Sequence, residues 1–374
     1  MNILIIKPSS LGDVVQALPV LKVLHERYPG AHIDWLVNEE IADILSGNPF
    51  LRTVHLWDRA SWRKPRLLPA AMGRTARLLR ELRRARYDLI LDLQGLLRSG
   101  LMARLSGGRE IVGFADAREL APLFYHKKVR APVGAMHSVE RYILAAGGNP
   151  SRGKQFPVVF SAREKQAAER LLTQAKHDTT RPLVVFVVGA RWATKQWPPE
   201  NFAALAEKLA ASDGAQVALI GSRSEAPLAR RIASMCRCPV LDFSGKTSLK
   251  QLAHLFQRAK VVAGNDSGPI HIAAAVGAPV VALYGPTSPS RTGPYGEQHT
   301  VLTASLPCSP CFRRTCDQGT SCMTDISVES VYRACKPYLQ KREHAVTQQR
   351  ADRRAAPRHS ENNRRKAATG RDPN

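Results

Sequence analysis

Val261-Val262-Ala263-Gly264-Asn265-Asp266-Ser267-Gly268-Pro269-Ile270-His271 runs from an apolar strand, through a small polar turn, into a helix. A helix that opens this way attracts an anion. Its first N–H groups lack intrahelical acceptors, and the dipole is positive there. Ser267 adds a hydroxyl donor, Gly268 lets a phosphate approach the backbone, and Pro269 suits the first turn. His271 lies about one turn in, on the face that reaches the same anion. The same residues also fit a plainer reading, with Asp266 as an N-cap and His271 as a satisfied core histidine.

The pattern around this stretch repeats. Residues 183–188, 216–220, 261–264 and 280–284 read as buried parallel strands, and 200–210, 228–235, 249–258 and 268–276 as helices. The beginning of the chain has the same alternation. Residues 2–6, 33–37 and 87–91 read as strands, and apolar residues from Val14 to Leu24 recur at helical spacing until Pro29-Gly30. Repeated βα alternation predicts an α/β fold of two doubly wound domains facing a cleft. The reading divides the chain into 1–155, 156–327, a final helix over 328–341 and a tail over 342–374. A helix over 162–176 follows the Gly- and Pro-rich connection at 147–155. The tail is too polar to offset its ordering entropy and is expected to be disordered.

The chain has 374 residues and a net charge of +24. Much of that charge is local, in Arg59–Arg86 and in the tail. A basic stripe of this kind suits a polyanionic partner or an anionic membrane, or is simply a solvated face. No apolar run approaches the roughly 20 residues that span a bilayer. The first residues lack the layout of a signal peptide, so a cytoplasmic location is expected. The basic stretches lack interleaved aromatics, which argues against a nucleic-acid-binding protein. Cys308, Cys311, Cys316 and Cys322 are spaced as candidate ligands of a structural zinc, the other reading being a metal-free cysteine-rich loop.

Other residues extend the anion site. Glu225, after the strand ending in Gly221-Ser222, is placed to accept from ribose hydroxyls. Lys195 sits in a loop after the second unit's first strand and could neutralise a diphosphate. Asp13, at the carboxyl end of the first strand, can act as a general base or cap the helix. No G-x-G-x-x-G follows any of these strands, which argues against a nicotinamide dehydrogenase. No Asp-x-Asp occurs, so a metal-bridged diphosphate is not expected and positive groups would carry the leaving-group charge.

Together these residues resemble glycosyltransferase family 9, the ADP-heptose:lipopolysaccharide heptosyltransferases. The resemblance covers most of residues 1–300. It rests on Lys7-x-Ser9-Ser10-x-Gly12-Asp13, Asp92-x-Gln94-Gly95, His137-x-x-Glu140-Arg141, Lys195-x-Trp197-Pro198, Asp266-Ser267-Gly268-x-x-His271 and Tyr284-Gly285-Pro286-Thr287. Several motifs in the right order are far more specific than any one of them. The resemblance implies a GT-B fold of two Rossmann-like domains, with the acceptor on the first and the ADP-sugar on the second. It implies Asp13 as base, with Lys195 a second catalytic group. It places the donor on Thr194, Lys195, Glu225, Asp266, Ser267, Gly268 and His271. No cofactor is implied, and a monomer is.

Trp62-Arg63-Lys64 and the Ala117-Arg118-Glu119 stretch resemble the heptosyltransferase I subgroup, which adds the first heptose to Kdo of Kdo2-lipid A. This implies acceptor contacts from Ser10, Gly12, Arg63, Lys64 and Arg118, and a peripheral position on the anionic inner-membrane surface. Arg74, Arg77 and Arg84 are expected to share one helix face toward that surface. The cysteine-bearing insert resembles other branches of the family. It keeps heptosyltransferase II, or another family 9 core transferase, as the alternative.

Overall fold

The computed structural model describes residues 1–58, 61, 65–152, 154–317 and 322–340. In the first half, β1 (Asn2–Ile6), α1 (Leu11–Ala17), α2 (Pro19–Arg27), β2 (His32–Asn38) and β3 (Thr53–Trp57) are followed by α3 (Leu68–Arg84) and β4 (Leu89–Asp92). Then come α4 (Leu97–Leu105), β5 (Glu110–Phe114), β6 (Lys127–Val129) and α5 (Ser138–Ala145). The six strands form one parallel sheet in the order β3-β2-β1-β4-β5-β6. Helices α3 and α4 cover one face, through Leu78, Leu82, Met102 and Ala103. Helices α1, α2 and α5 cover the other.

The second half repeats the plan. It runs α6 (Ala162–Gln174), β7 (Leu183–Val187), α7 (Pro199–Asp213), β8 (Gln216–Ile220), α8 (Ala226–Met235), β9 (Val240–Asp242) and α9 (Leu249–Arg258). It continues with β10 (Val261–Asn265), α10 (Gly268–Ala275), β11 (Val280–Tyr284), α11 (Pro289–Thr292), β12 (Thr300–Thr303) and α12 (Val328–Gln340). Its parallel sheet has the order β12-β11-β10-β7-β8-β9, the same order counted within the half. β7, β8, β10 and β11 are buried along their whole length. That is why they read as unbroken apolar runs in the sequence.

The apolar run from Val14 to Leu24 is two helices, not one. Pro19 has no N–H to continue α1, so the chain breaks at Leu18 and restarts as α2. Among the described residues no helix or strand lies between α5 and α6, where the sequence suggests a connection. Yet residues Met1–Leu339 form one compact unit. A single apolar cluster joins Ile5 and Val14 of the first half to Val185 and Ile270 of the second. The tail expected to be disordered lies outside the described residues, as do Trp62, Arg63 and Lys64.

Candidate active site

In each sheet the strand order reverses beside the half's first strand, between β1 and β4 and between β7 and β10. In open α/β sheets ligands collect beyond the carboxyl ends of strands at such a point. Here the two points face each other through the starts of α1 and α10. Both helices open on a glycine contact. A Cβ on Gly268 would lie 2.8–2.9 Å from Leu11, and one on Gly12 would lie 2.4 Å from Cδ2 of His271. No side chain fits at either position, so each helix presents bare backbone to a side chain of the other.

On the first side, Asp13 is partly accessible. Its Oδ2 accepts from the Ser10 backbone N at 2.9 Å and from Ser10 Oγ at 2.6 Å. Its Oδ1 accepts from the Tyr142 hydroxyl at 3.3 Å. Burial pushes the Asp13 carboxyl up, but the Lys7 ammonium, the Ser10 bonds and His271 outweigh it and hold it below its ordinary value. Lys7 is buried, with Nζ 5.1 Å from the centroid of the Tyr142 ring. Burial lowers the Lys7 pKa, and Asp13 and Asp92 oppose that. Asp92 is fully buried and takes bonds from the Gln94 and Gly95 backbone and from the Ser99 and Tyr125 hydroxyls. It thereby fixes the turn after β4.

On the second side, Lys195 Nζ donates to Asp266 Oδ2 at 2.5 Å, and Thr287 Oγ1 donates to the same oxygen at 2.6 Å. Lys195 also lies over the Trp192 ring, 4.6 Å from its centroid. His271 is buried, with Nε2 4.0 Å from Asp266 Oδ1 and Nδ1 3.3 Å from Gln16 Nε2. An amide nitrogen can only donate, so Nδ1 is read as the acceptor and Nε2 as carrying the proton. Burial lowers the His271 pKa, against the pull of Asp266 and Asp13. The ring is therefore a neutral donor near pH 7. Ser267 Oγ at the head of α10 is buried without a partner. That leaves its hydroxyl able to donate to an incoming anion.

Three expected contacts are already engaged. Thr194 Oγ1 donates to the Arg313 carbonyl at 2.9 Å, tying the loop after β7 to the cysteine-bearing segment. Glu225 Oε2 accepts from the Ser222 N at 2.7 Å, and its carboxylate covers the backbone of Gly189. Ser10 serves Asp13. Arg118 is exposed beside Gly95, its backbone N donating to the Gly95 carbonyl, and its charge reaches Lys7. All four free cysteines of the insert are described. No group of three or more His, Cys, Asp or Glu able to hold a metal occurs among the described residues.

Comparison with known proteins decides the family. The model of glycosyltransferase family 9 (heptosyltransferase) matches residues 75–321. The lipopolysaccharide heptosyltransferase 1 of Pseudomonas aeruginosa is 32% identical over 320 residues, 84% of this chain and 87% of the relative. The chain belongs to glycosyltransferase family 9. A solved Escherichia coli heptosyltransferase with ADP shares 28% identity at a TM-score of 0.69, over 90% of this chain and 100% of that one. Escherichia coli ADP-heptose lipopolysaccharide heptosyltransferase II shares 26% at a TM-score of 0.74, over 91% and 98%. The fold of this family 9 glycosyltransferase is therefore GT-B, as the sequence implies.

Residues to which the sequence gives no role lie beside the candidate site residues. Lys7 and Thr287 stood inside quoted motifs, and Tyr142 directly follows one. Gln16 follows Asp13 by one helical step, and that spacing was the only signal for it. His137 caps α5 by accepting from the Val139 N, and its Nε2 lies 3.0 Å from the Gly293 carbonyl of the second half.

Proposed function

We propose that this glycosyltransferase moves heptose from ADP-L-glycero-D-manno-heptose to a Kdo hydroxyl of Kdo2-lipid A, with inversion, at the cytoplasmic face of the inner membrane. The observation that carries this is the contact of Gly12 with His271. It sets the Asp13 carboxylate directly opposite the anion-binding head of α10. Residues 1–155 hold the acceptor in this reading, and 156–327 the donor.

In the reaction Asp13 takes the acceptor hydroxyl proton as that oxygen bonds to the anomeric carbon. The bond from that carbon to the ADP oxygen breaks, and ADP leaves with the electron pair. Lys195, the head of α10, the Ser267 hydroxyl and the His271 N–H face the growing negative charge. Asp266 does not touch phosphate, since two anions would repel. It positions Lys195 instead. Glu225 meets the ribose once it turns from Ser222. Arg118, with Arg63 and Lys64, meets Kdo carboxylates and lipid A phosphates.

The 32% identity to a heptosyltransferase 1 over most of the chain supports the first-heptose reading over heptosyltransferase II. The basic face of α3 supports an anionic membrane partner, although Arg74 is already paired with Asp58 at 2.7 Å. The test is the mass of the product formed from ADP-heptose and Kdo2-lipid A. One added heptose is expected. Transfer only to an acceptor that already carries heptose would instead assign the chain to heptosyltransferase II.

A further inference from the structure

Helices α3 and α4 both connect parallel strands, so they run in the same direction. Their first turns lie at the carboxyl edge of the first sheet, the edge that holds Asp13. Among the described residues, that edge carries an unusual set of exposed apolar side chains. Leu68 and Met72 open α3, and Leu97 and Leu101 lie four apart at the start of α4. Leu120, 68% exposed, precedes the 3-10 turn Ala121–Phe124, and Leu123, 74% exposed, lies within it.

The turn lies directly on α4. A Cβ on Gly100 would lie 2.8 Å from Phe124 Cδ2 and 3.4 Å from the Ala121 Cα. Leu97 and Leu101 therefore stand beside Leu120 and Leu123 as one ledge. Glu119 and Leu120 both have left-handed backbone, φ 54° and 61°, which L side chains seldom adopt. The Gly95 carbonyl holds the preceding residue, Arg118, by its backbone N.

The surroundings are cationic. Between residues 97 and 130 there are seven Lys or Arg and three Asp or Glu. Of the three acids, Asp116 is paired with Arg141, and Glu110 starts β5 at the opposite edge. Only Glu119 remains near the leucines, against exposed Arg98, Arg104 and Arg118. An apolar ledge rimmed by cations matches the interface of an anionic bilayer, where apolar tips enter the acyl boundary and cations meet headgroups.

We infer that this ledge is a membrane-inserting element that seats the acceptor side of the active site on an anionic lipid surface. The inference rests on the proposed lipid-borne acceptor and deepens it. Leu120 and Leu123 enter the bilayer boundary, and Arg98 and Arg104 meet headgroup phosphates. Arg118 then stands between the bilayer and Asp13, where a headgroup-linked sugar enters.

The test compares the full chain with Leu120→Ser/Leu123→Ser on vesicles of phosphatidylethanolamine and phosphatidylglycerol. Leu97→Ser/Leu101→Ser probes the same ledge from a second element. Each double variant should lower vesicle partitioning by roughly tenfold or more. Transfer to vesicle-embedded Kdo2-lipid A should fall with it, while kcat/KM on an acyl-free Kdo acceptor stays unchanged. Unchanged partitioning in both variants would overturn the inference. So would loss of a dimer with partitioning intact, which would assign the ledge to a second copy of the chain. If wild type transfers to neither acceptor but its partitioning still depends on the leucines, the proposed reaction fails and the membrane element stands.

Discussion

Gly12 lies against the imidazole of His271: a Cβ added to the glycine would sit 2.4 Å from Cδ2 and 3.2 Å from Nε2. The ring cannot simply swing away, because it is buried and its Nδ1 is engaged by Gln16. Gly12→Ala should therefore force α1 and α10 apart or displace the ring. Overpacking of this kind costs about 1–3 kcal/mol. The expected result is a modest drop in melting temperature and a much larger drop in kcat/KM, read by thermal melting and steady-state kinetics. A variant with wild-type turnover would show that the contact does not set the site's geometry.

Asp13 titrates below its ordinary value, so it is ionised and ready to accept a proton across the physiological range. Asp13→Ala should reduce kcat by roughly 10²–10⁴-fold and leave ADP-heptose binding in place. Lys7 is the largest of the influences that lower the Asp13 pKa. Lys7→Met should raise the Asp13 pKa and move the acid limb of kcat to higher pH. The loss of rate should be greater near pH 5 than near pH 8. A uniform loss across the profile would remove Lys7 from this role.

Lys195 and Asp266 should be strongly non-additive. Removing the ammonium leaves the Asp266 carboxylate facing the donor phosphates without compensation. Lys195→Ala should lower kcat by about 10²–10³-fold and weaken ADP binding. Adding Asp266→Asn to that variant should recover part of the ADP affinity, because the remaining repulsion is gone. Calorimetric titration of ADP into the two variants decides the point.

His299 gives a separate pH signal. Burial pushes its pKa down to about 4. The unfolded chain then binds a proton that the folded chain refuses, starting near pH 6.5. The stability this gives is fully present above that pH and is lost as pH falls toward 4. His299→Gln should lose less stability than wild type over that interval, measured by urea unfolding at several pH values. Equal slopes would show that His299 is not the group responsible.

The alternation of strands and helices was legible because β1, β7, β8, β10 and β11 are buried runs bounded by turn residues. The sequence also placed Asp13, Lys195 and the head of α10 at strand ends. It could not show that Asp266 holds Lys195, since 71 residues separate them and their loops meet through the pairing of β10 with β7 and through the bonds of Asn265 to Val188 and Trp197. Tyr142 was missed because a tyrosine on an apolar helix face looks like core until Asp13 is seen within reach. The break at Leu18 was missed because the apolar spacing continues through it, and only Pro19 marks the boundary.

Both halves share one strand order, and each gives the centre the turns after its first and fourth strands. In the proposed reaction the acceptor comes from the first sheet and ADP-heptose from the second, which suits attack on the side of the sugar away from ADP. The halves can also diverge separately. On the proposed assignment of acceptor and donor, changes in the turns after β1 and β4 would select a new acceptor while those after β7 and β10 continue to hold the same activated sugar. A chain built this way can supply successive steps of one polysaccharide by copying itself and altering only its first half.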